Sequence, residues 1–299
     1  MLRFLGFLFI CLCWSYSFAE IAVKDDTGQL IVLNKPAHRI LSLAPHITEI
    51  LYAAGAGASI VGTVQYSDYP EAARKIPTVG DAQGLDFERI LALQPDLIVA
   101  WKSGTPVSAQ EKLKALGFVV FLSEPRKVAD IATNLEHLGQ LAGTYKHAQK
   151  ASREFLEQFQ ELRLHYERKK KLKVFYQIWD QPLMTINGEH LISKIINLCG
   201  GENVFTALTG LAPTVSLEAV LTADPEVIIT GGTGREKADW LNFWRQWSEL
   251  RAVKQNNLFI IDPEIIQRHS PRIILGARKL CDYLDLARNK AVIELQNTD

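Results

Sequence analysis

The chain has 299 residues, and its 33 basic side chains balance 33 acidic ones. This balance gives no electrostatic footprint for nucleic acid and no polybasic arm for an anionic membrane, so both partner classes are excluded. The length exceeds what one hydrophobic core usually fills and suits two compact units.

The first 19 residues predict a cleaved export signal. Arg3 is a short positive segment, residues 4–14 form an apolar run, and residues 17–19 place small side chains at the two positions that signal peptidase requires before Glu20. The apolar run is too short for a transmembrane helix, which needs about 20 residues. We therefore expect residues 1–19 to be removed and the rest of the chain to be exported and free of the membrane.

The four cysteines fall into two pairs. Cys11 and Cys13 lie inside the predicted signal, and each follows a large aliphatic residue where a lipoprotein signal needs a small one. Cys199 and Cys281 remain in the exported part, where they form either one disulfide or two buried thiols. An oxidising compartment favours the disulfide.

Short apolar runs alternate with amphipathic segments in the first part of the exported chain, which predicts βα units on a mostly parallel sheet. The predicted strands are 39–44, 60–64, 97–101 and 119–122, and the predicted helices are 47–54, 87–93 and 109–116. We expect residues 20–143 to form an N-terminal α/β lobe.

Two helices follow with no strand between them. The first is predicted over 128–141, Gly143 is a stop signal, and Thr144 suits an N-cap. From there to about Lys170, apolar residues recur every three or four positions, which predicts one helix of roughly 38 Å. We expect residues 144–171 to be a backbone helix that joins two lobes.

A second α/β series then begins. Its predicted strands are 174–179, 227–230 and 258–261, and its predicted helices are 191–198, 217–221 and 271–284. We expect residues 172–288 to form a C-terminal lobe and residues 289–299 to form a loose tail. The predicted fold class is α/β, with two similar lobes, each a small mostly parallel sheet flanked by helices.

One pattern occurs in both lobes. Residues 87–99 read FERILALQPDLIV, and residues 217–229 read LEAVLTADPEVII, without a gap between them in register. Each copy predicts a short helix with an acidic first turn, a proline break and a buried parallel strand. A weaker match relates the helices that follow His46 and His190. Two matches in the same order predict lobes of like topology.

Glu88 and Glu218 occupy equivalent positions in the two copies. A carboxylate in the first turn of a helix is stabilising by about 0.3–1 kcal/mol, which is a purely structural role. The functional alternative is a symmetric pair of anchors for a two-fold membrane partner. The pattern by itself leaves both roles open.

Sequence signatures of enzymes are absent, since the chain contains no P-loop, G-x-S-x-G, H-E-x-x-H or C-x-x-C pattern. His46, His190 and His269 each lie between a strand and a helix, where α/β sheets place ligand crevices. With Glu49 or Glu264 they are candidates for a transition-metal site, or else they begin or support helices. Because close ligand spacing is missing, no dedicated metal site is predicted.

Four aromatic residues, Tyr66, Tyr69, Trp101 and Trp179, fall at predicted strand ends or in the loops that follow. Core packing is the default role for such residues. A wide cleft for a large flat ligand would instead use them as stacking platforms.

Five stretches carry a resemblance to a known family: RILSLAPHITEIL (39–51), YSDYP (66–70), FERILALQPDLIVAW (87–101), CGGENVF (199–205) and QRHSPRIILGARKLC (267–281). Together they resemble the periplasmic vitamin B12-binding proteins of ABC importers, within the helical-backbone group of solute receptors. The resemblance covers about residues 38–286.

This resemblance implies a periplasmic binding protein, not an enzyme, that captures a corrinoid between its lobes and delivers it to a permease dimer in the inner membrane. The corrinoid would be cargo, no cofactor is expected, and the receptor is expected to be a monomer. The same fold also serves haem, siderophore and metal-ion receptors, for which His46, His190 and His269 would be the ligands.

The resemblance also implies roles for individual residues. Glu88 and Glu218 match carboxylates that meet arginines of the permease, and Cys199 and Cys281 match the disulfide of the family. The residues that match ligand contacts are Tyr66, Trp101, Glu264, Ile265, Ile266, Gln267 and Arg268.

Several positions depart from the family pattern. Ala82 and Ala212 align with tryptophans that flank the ligand, and Met184 aligns with a phenylalanine; Trp179 and Met184 are expected to fill that space. In addition, Gln267 replaces an acidic residue, and His269 has no counterpart. These departures concern the cargo and leave the delivery residues in place.

Overall fold

The computed structural model describes residues 20–81, 84–232 and 236–296. The predicted signal, residues 1–19, and Ala82 lie outside these ranges. Within them, none of the helices combines the length and the apolar character that crossing a bilayer would require.

The N-terminal lobe is built on a four-stranded parallel sheet, preceded by an antiparallel hairpin. The hairpin consists of β1 (Ile21–Lys24) and β2 (Leu30–Leu33), and the sheet of β3 (Ile40–Ser42), β4 (Ile60–Gly62), β5 (Leu97–Trp101) and β6 (Val120–Ser123). The flanking helices are α1 (Pro45–Ala53), α2 (Phe87–Leu93), α3 (Val107–Ala115) and α4 (Val128–Leu141). The strands are almost entirely buried, as expected when helices cover both faces of a parallel sheet.

Two helices, α4 and the long α5 (Tyr145–Tyr166), connect the lobes. The C-terminal half of α4 and Ala148 of α5 belong to the core of the N-terminal lobe, whereas Ile131 of α4 and Phe155 of α5 belong to the core of the C-terminal lobe. The predicted backbone helix is therefore present, and α4 shares its task. It ends at Tyr166 rather than at Lys170 and is about 33 Å long, because the next strand begins at Leu172 and the basic residues between form the turn.

The C-terminal lobe repeats the architecture of the first. Its parallel sheet consists of β7 (Leu172–Gln177), β8 (Gly201–Asn203), β9 (Val227–Gly231) and β10 (Leu258–Ile261). Its helices are α6 (Leu191–Leu198), α7 (Leu217–Ala223), α8 (Glu236–Arg245), α9 (Arg251–Lys254), α10 (Pro263–Ile266) and α11 (Ile273–Gln296).

The two sheets share one topology. The strand orders are β4-β3-β5-β6 and β8-β7-β9-β10, so in each lobe the first strand of the series lies inside and the second lies at the edge. All pairings within both sheets are parallel. This confirms the predicted α/β fold of two similar lobes.

The sequence repeat is also a structural repeat. Helices α2 and α7 both have seven residues, begin with a side-chain cap from Asp86 or Ser216, and end in a residue of left-handed conformation. The acidic residue before the next strand, Asp96 in one lobe and Glu226 in the other, accepts backbone hydrogen bonds at the start of the neighbouring strand. The two copies therefore hold their helices in the same way.

The last helix, α11, differs from the predicted loose tail. It continues from Ile273 to Gln296, well beyond Arg288. The reason is that residues 285–296 contain neither glycine nor proline and are rich in good helix formers. The predicted disulfide is present: Cys199, just after α6, is bonded to Cys281 within α11, and both are fully buried in the core of the C-terminal lobe.

Candidate ligand cleft

The carboxyl ends of the parallel strands supply the residues of a cleft between the lobes. Tyr66 follows β4 and Trp101 ends β5, while Trp179 follows β7 and Gln267 follows β10. Open α/β sheets bind ligands outside the carboxyl ends of their strands. Two such edges in one molecule therefore create one candidate binding region.

Two adjoining cavities lie in this region. The first, about 380 Å³, belongs to the N-terminal lobe and is lined by Tyr66, Trp101 and apolar residues that include Leu43 and Val64. The second, about 260 Å³, lies between the lobes. Its lining includes Trp101, Glu124, Arg126, His190, Ala212, Gln267 and His269. Trp101 lines both cavities and therefore lies between them.

Tyr66 presents an aromatic surface to the first cavity. Its side chain is 75% exposed, and its backbone has a positive φ of 64°. That conformation costs an aromatic residue about 1–3 kcal/mol and is found mostly at functional sites. The exposed ring at a strained turn suits a stacking platform.

Trp101 is held in one orientation. Its ring meets the edge of the His46 ring at a centroid distance of 5.2 Å. Gly104 also lies against the ring, because an added Cβ there would come within 1.8 Å of the tryptophan ring. Because glycine alone allows this approach, Trp101 is a fixed wall of the cleft.

Trp179 and Met184 face each other across an antiparallel bridge. Trp179 is half exposed, donates its indole N–H to the carbonyl of Gln181 at 3.0 Å, and meets Trp240 edge-on. Neither Trp179 nor Met184 lines the two cavities, although Ala212 does. The space opened by Ala212 therefore remains part of the cavity.

The predicted contact segment Glu264–Arg268 does not face the cleft as a unit. Gln267 lines the second cavity and places its amide nitrogen 3.4 Å from the Tyr176 hydroxyl. Ile266 is fully buried in the core of the C-terminal lobe, and Ile265 packs against that core. The helical turn of α10 explains this difference, since successive residues of a helix point in different directions. Glu264 and Arg268 have another role.

Glu49 of α1 joins the lobes through an ion-pair network. Its carboxylate accepts hydrogen bonds from Arg268 at 3.0 Å and from Arg272 at 2.9 and 3.1 Å, and from the Ser270 hydroxyl. Arg268 also pairs with Glu264 of its own lobe. The Glu49 side chain is only 3% exposed. We call the ion-paired residues Glu49, Asp68, Glu264, Arg268 and Arg272 the interlobe clamp.

Asp68 extends the interlobe clamp to the loop after Tyr66. Arg268 donates to its carboxylate at 2.9 Å. Burial by itself would raise the pKa of Asp68, but the hydrogen bond and the positive charge of Arg268 outweigh burial and lower the pKa. In turn, burial disfavours the charge of Arg268, yet the hydrogen bonds to Asp68 and Glu49 raise its pKa. Asp68 and Arg268 are therefore both stabilised in their charged forms.

Sequence reasoning missed the function of three members of the interlobe clamp, Glu49, Asp68 and Arg272. A signal was present: Glu49 is the one charged residue of α1 from Ile47 to Ala53. A carboxylate on a buried helix face requires partners. The two arginines within four residues of each other, 268 and 272, are suitable partners.

The three histidine rings lie close together, and two of them, His190 and His269, line the second cavity. The His269 ring lies 5.5 Å from that of His190 and 6.4 Å from that of His46, between centroids. In the described part of the chain, however, no three His, Cys, Asp or Glu side chains are arranged to hold a metal ion.

The electrostatic state of these histidines follows from burial. Burial, with a smaller contribution from the neighbouring His269, lowers the pKa of His46 and of His190 to about 3. Burial also lowers the pKa of His269. The Nε2 atom of His46 is buried without a hydrogen-bond partner among the described residues. All three rings are therefore neutral near pH 7.

Glu88 and Glu218 lie on the surface, each in the first turn of the equivalent helices α2 and α7. Both side chains are exposed. Hydrogen bonds from its own backbone N–H and from Ser216 lower the pKa of Glu218. Each lobe thus presents one negative charge in the same structural position.

Comparison with known proteins gives relatives along most of the chain. Residues 40–279 match the periplasmic binding protein family. A vitamin B12-binding protein of Vibrio parahaemolyticus is 38% identical over 264 residues, which are 88% of this chain and 95% of the relative. One of Yersinia pestis is 39% identical over 248 residues, 83% of this chain and 86% of the relative.

Solved structures agree with these relatives. The periplasmic vitamin B12-binding protein of Vibrio cholerae has a TM-score of 0.79 at 37% identity and covers 85% of this chain and 98% of its own. A periplasmic haem-binding protein of Roseiflexus has a TM-score of 0.75 at 22% identity over 84% of this chain and 99% of its own, which shows the shared fold alone. The relatives are binding proteins, which confirms the prediction of a binding protein rather than an enzyme. The chain belongs to the periplasmic binding protein family and is similar to its vitamin B12-binding members over most of its length.

Proposed function

We propose that this chain is a periplasmic receptor that captures a corrinoid in the cleft between its lobes and delivers it to an ABC import permease. The supporting observation is an open cleft walled by Tyr66 and Trp101 in a chain 37% identical to a vitamin B12-binding protein of known structure. Export through the signal at residues 1–19, a monomeric state and the absence of a cofactor belong to the same proposal.

The chemistry of a corrinoid suits the cleft. Its macrocycle is large and flat, with apolar faces and amide groups around the edge. The ring of Tyr66 and the fixed wall of Trp101 offer aromatic faces, and the space at Ala212 leaves room on the opposite lobe. Because the interlobe clamp joins the lobes directly through buried protein side chains, we expect a preformed site with little lobe movement on binding.

Titration of the purified exported chain with cyanocobalamin tests this function. We expect saturable binding by calorimetry and an affinity about tenfold lower in Tyr66→Ala, because that variant loses a stacking surface worth about 1.4 kcal/mol. Tyr145→Ala is the matched control, since Tyr145 is an exposed tyrosine on α5, away from the cleft. The proposal would be refuted if no corrinoid bound at about 1 mM. At that concentration, only complexes with a binding free energy weaker than ~4 kcal/mol escape detection.

We further propose that Glu88 and Glu218 dock the receptor on the permease. Each carboxylate is exposed in the first turn of an equivalent helix, so the pair matches a dimer with two identical cationic sites. Close charge pairs at protein interfaces can contribute about 1.5–7 kcal/mol of coupling, far more than exposed pairs within one protein. Two such charge pairs would therefore be sufficient to hold the receptor on the permease, although each lobe contributes only one carboxylate.

Replacement of both carboxylates separates capture from delivery. We expect Glu88→Ala with Glu218→Ala to keep corrinoid affinity and to lower permease-dependent uptake by about tenfold or more, since both interface charge pairs are lost. Uptake of labelled cobalamin by cells that lack their own receptor provides the measurement. Glu111→Ala with Glu157→Ala, two exposed carboxylates on α3 and α5, is the control. Normal uptake with the Glu88 and Glu218 double variant would contradict docking through this pair.

A further inference from the structure

His190 and His269 both line the cavity between the lobes, and each has one ring nitrogen fixed by the backbone. Their rings are 5.5 Å apart between centroids, at an angle of 77°. The two residues come from separate segments of the C-terminal lobe, the start of α6 and the loop after α10. Their backbone contacts determine what each ring offers to a ligand.

The backbone partner of His190 fixes its proton. His190 caps α6, and its Nδ1 accepts the backbone N–H of Ile192 at 3.1 Å. A nitrogen that accepts a hydrogen bond carries the lone pair, so in the neutral ring the proton is on Nε2. His190 therefore offers a hydrogen-bond donor at its remaining nitrogen.

The backbone partner of His269 fixes the opposite tautomer. Its Nδ1 lies 3.0 Å from the carbonyl oxygen of Pro125, which can only accept. Nδ1 must therefore carry the proton, and Nε2 of the neutral ring carries the lone pair. Within the described residues, Nε2 of His190 and Nε2 of His269 form no hydrogen bond. Neither nitrogen is one of the fully buried polar atoms that lack a hydrogen-bond partner.

The surroundings of the pair are polar without a free charge. Glu124 and Arg126 line the same cavity, but they pair with each other at 3.2 Å, and Ser103 donates two further hydrogen bonds to Glu124. Burial keeps both histidines neutral, as described above. A neutral group that donates and accepts through two different atoms fits this environment better than an ion.

We propose that His190 and His269 together bind a primary carboxamide of the ligand. The Nε2–H of His190 donates to the amide oxygen, and Nε2 of His269 accepts from the amide N–H. The inference rests on the proposed function, because corrinoids carry carboxamides around the macrocycle. The same geometry rejects a carboxylate, whose oxygen would face the lone pair of His269 without a proton between them.

The test compares cyanocobalamin with its monocarboxylic acids, in which one peripheral carboxamide is hydrolysed. Calorimetry at about pH 7.5 keeps the acids ionised. We expect at least one acid to bind the native chain about tenfold or more weakly than cyanocobalamin, since a hydrogen-bonding site discriminates strongly against a mismatched group. The other acids, altered at sites away from the pair, should bind normally.

Two variants connect this discrimination with the histidines. His190→Asn retains an oxygen that can cap α6 but removes the Nε2 donor, and His269→Leu removes the acceptor. In both, the preference for cyanocobalamin over the discriminated acid should fall to about threefold or less. His165→Leu, on the exposed face of α5, is the control and should keep the native preference.

The outcomes distinguish a failure of carboxamide recognition from a failure of the proposed function. Equal binding of all the acids and cyanocobalamin to the native chain overturns carboxamide recognition while leaving a corrinoid receptor in place. A preference that survives in both His190→Asn and His269→Leu also overturns it. Failure of cyanocobalamin itself to bind removes the proposed function and this inference together.

Discussion

Glu49→Ala should lower the free energy of unfolding by about 3–5 kcal/mol, because it leaves two arginines at the lobe interface without their shared carboxylate. Arg268 keeps Asp68 and Glu264 as partners. Arg272, in contrast, loses both of its hydrogen bonds to the Glu49 carboxylate, at 2.9 and 3.1 Å. Denaturant unfolding of the variant and the native chain measures the loss. Solution scattering should show the lobes further apart.

The control for Glu49→Ala is Glu111→Ala, which removes an exposed carboxylate from α3 and should change the stability by less than about 0.5 kcal/mol. A second variant, Glu49→Leu with Arg272→Leu, removes both charges and should recover part of the stability, since apolar replacements of buried ion pairs are often tolerated. A loss below about 1 kcal/mol in Glu49→Ala would show that the interlobe clamp does not hold the lobes.

Acid should destabilise the chain through its buried histidines. Burial lowers the pKa of His46 from 6.5 to about 3 in the folded protein. Between these two values the unfolded chain binds a proton that the folded chain refuses, so stability is fully present above pH 6.5 and is lost as the pH falls. At about 1.4 kcal/mol per pH unit, His46 accounts for at most ~3 kcal/mol of the loss by pH 4.

His46→Phe tests this linkage. The ring is buried and its Nε2 has no partner among the described residues, so phenylalanine should cost little at neutral pH. The variant should lose about 3 kcal/mol less stability than the native chain between about pH 7.5 and pH 4, measured by urea unfolding. His165→Phe replaces an exposed histidine and should follow the native curve. Parallel curves for all three proteins would exclude His46 as the source.

Local signals were sufficient for much of the fold. The structure has the predicted bounds for α2, α4 and α6, because capping residues, glycines and the prolines after the repeat helices define those ends within a few residues. The repeat also predicted two lobes of like topology, since the same βα pattern occurs twice. The ends of α5 and α11 were missed where no breaker residue marks the boundary.

Contacts between the lobes could not be predicted from local pattern. Glu49 and Arg272 are 223 residues apart in sequence, and nothing near either residue indicates the other. In the same way, the sequence predicts one contact surface from Glu264 to Arg268, although a helical turn directs Ile266 into the core. The positions of the three histidines after strands indicate that they lie near one another. Which ring nitrogen carries the proton, however, depends on backbone partners that only the structure shows.

The repeat that gives each lobe one proposed docking carboxylate would also determine in how many orientations the receptor meets the proposed permease dimer. Helices α2 and α7 have the same length, a side-chain cap and the same acidic position, so each could meet either half of a symmetric dimer. The cleft lacks this symmetry, because Tyr66 and Trp101 lie on one lobe and Gln267 on the other. Docking through these helices would therefore occur in two orientations related by half a turn. The cargo would then reach the transporter in either of two opposite orientations, and the entrance of the transporter would have to accept both orientations.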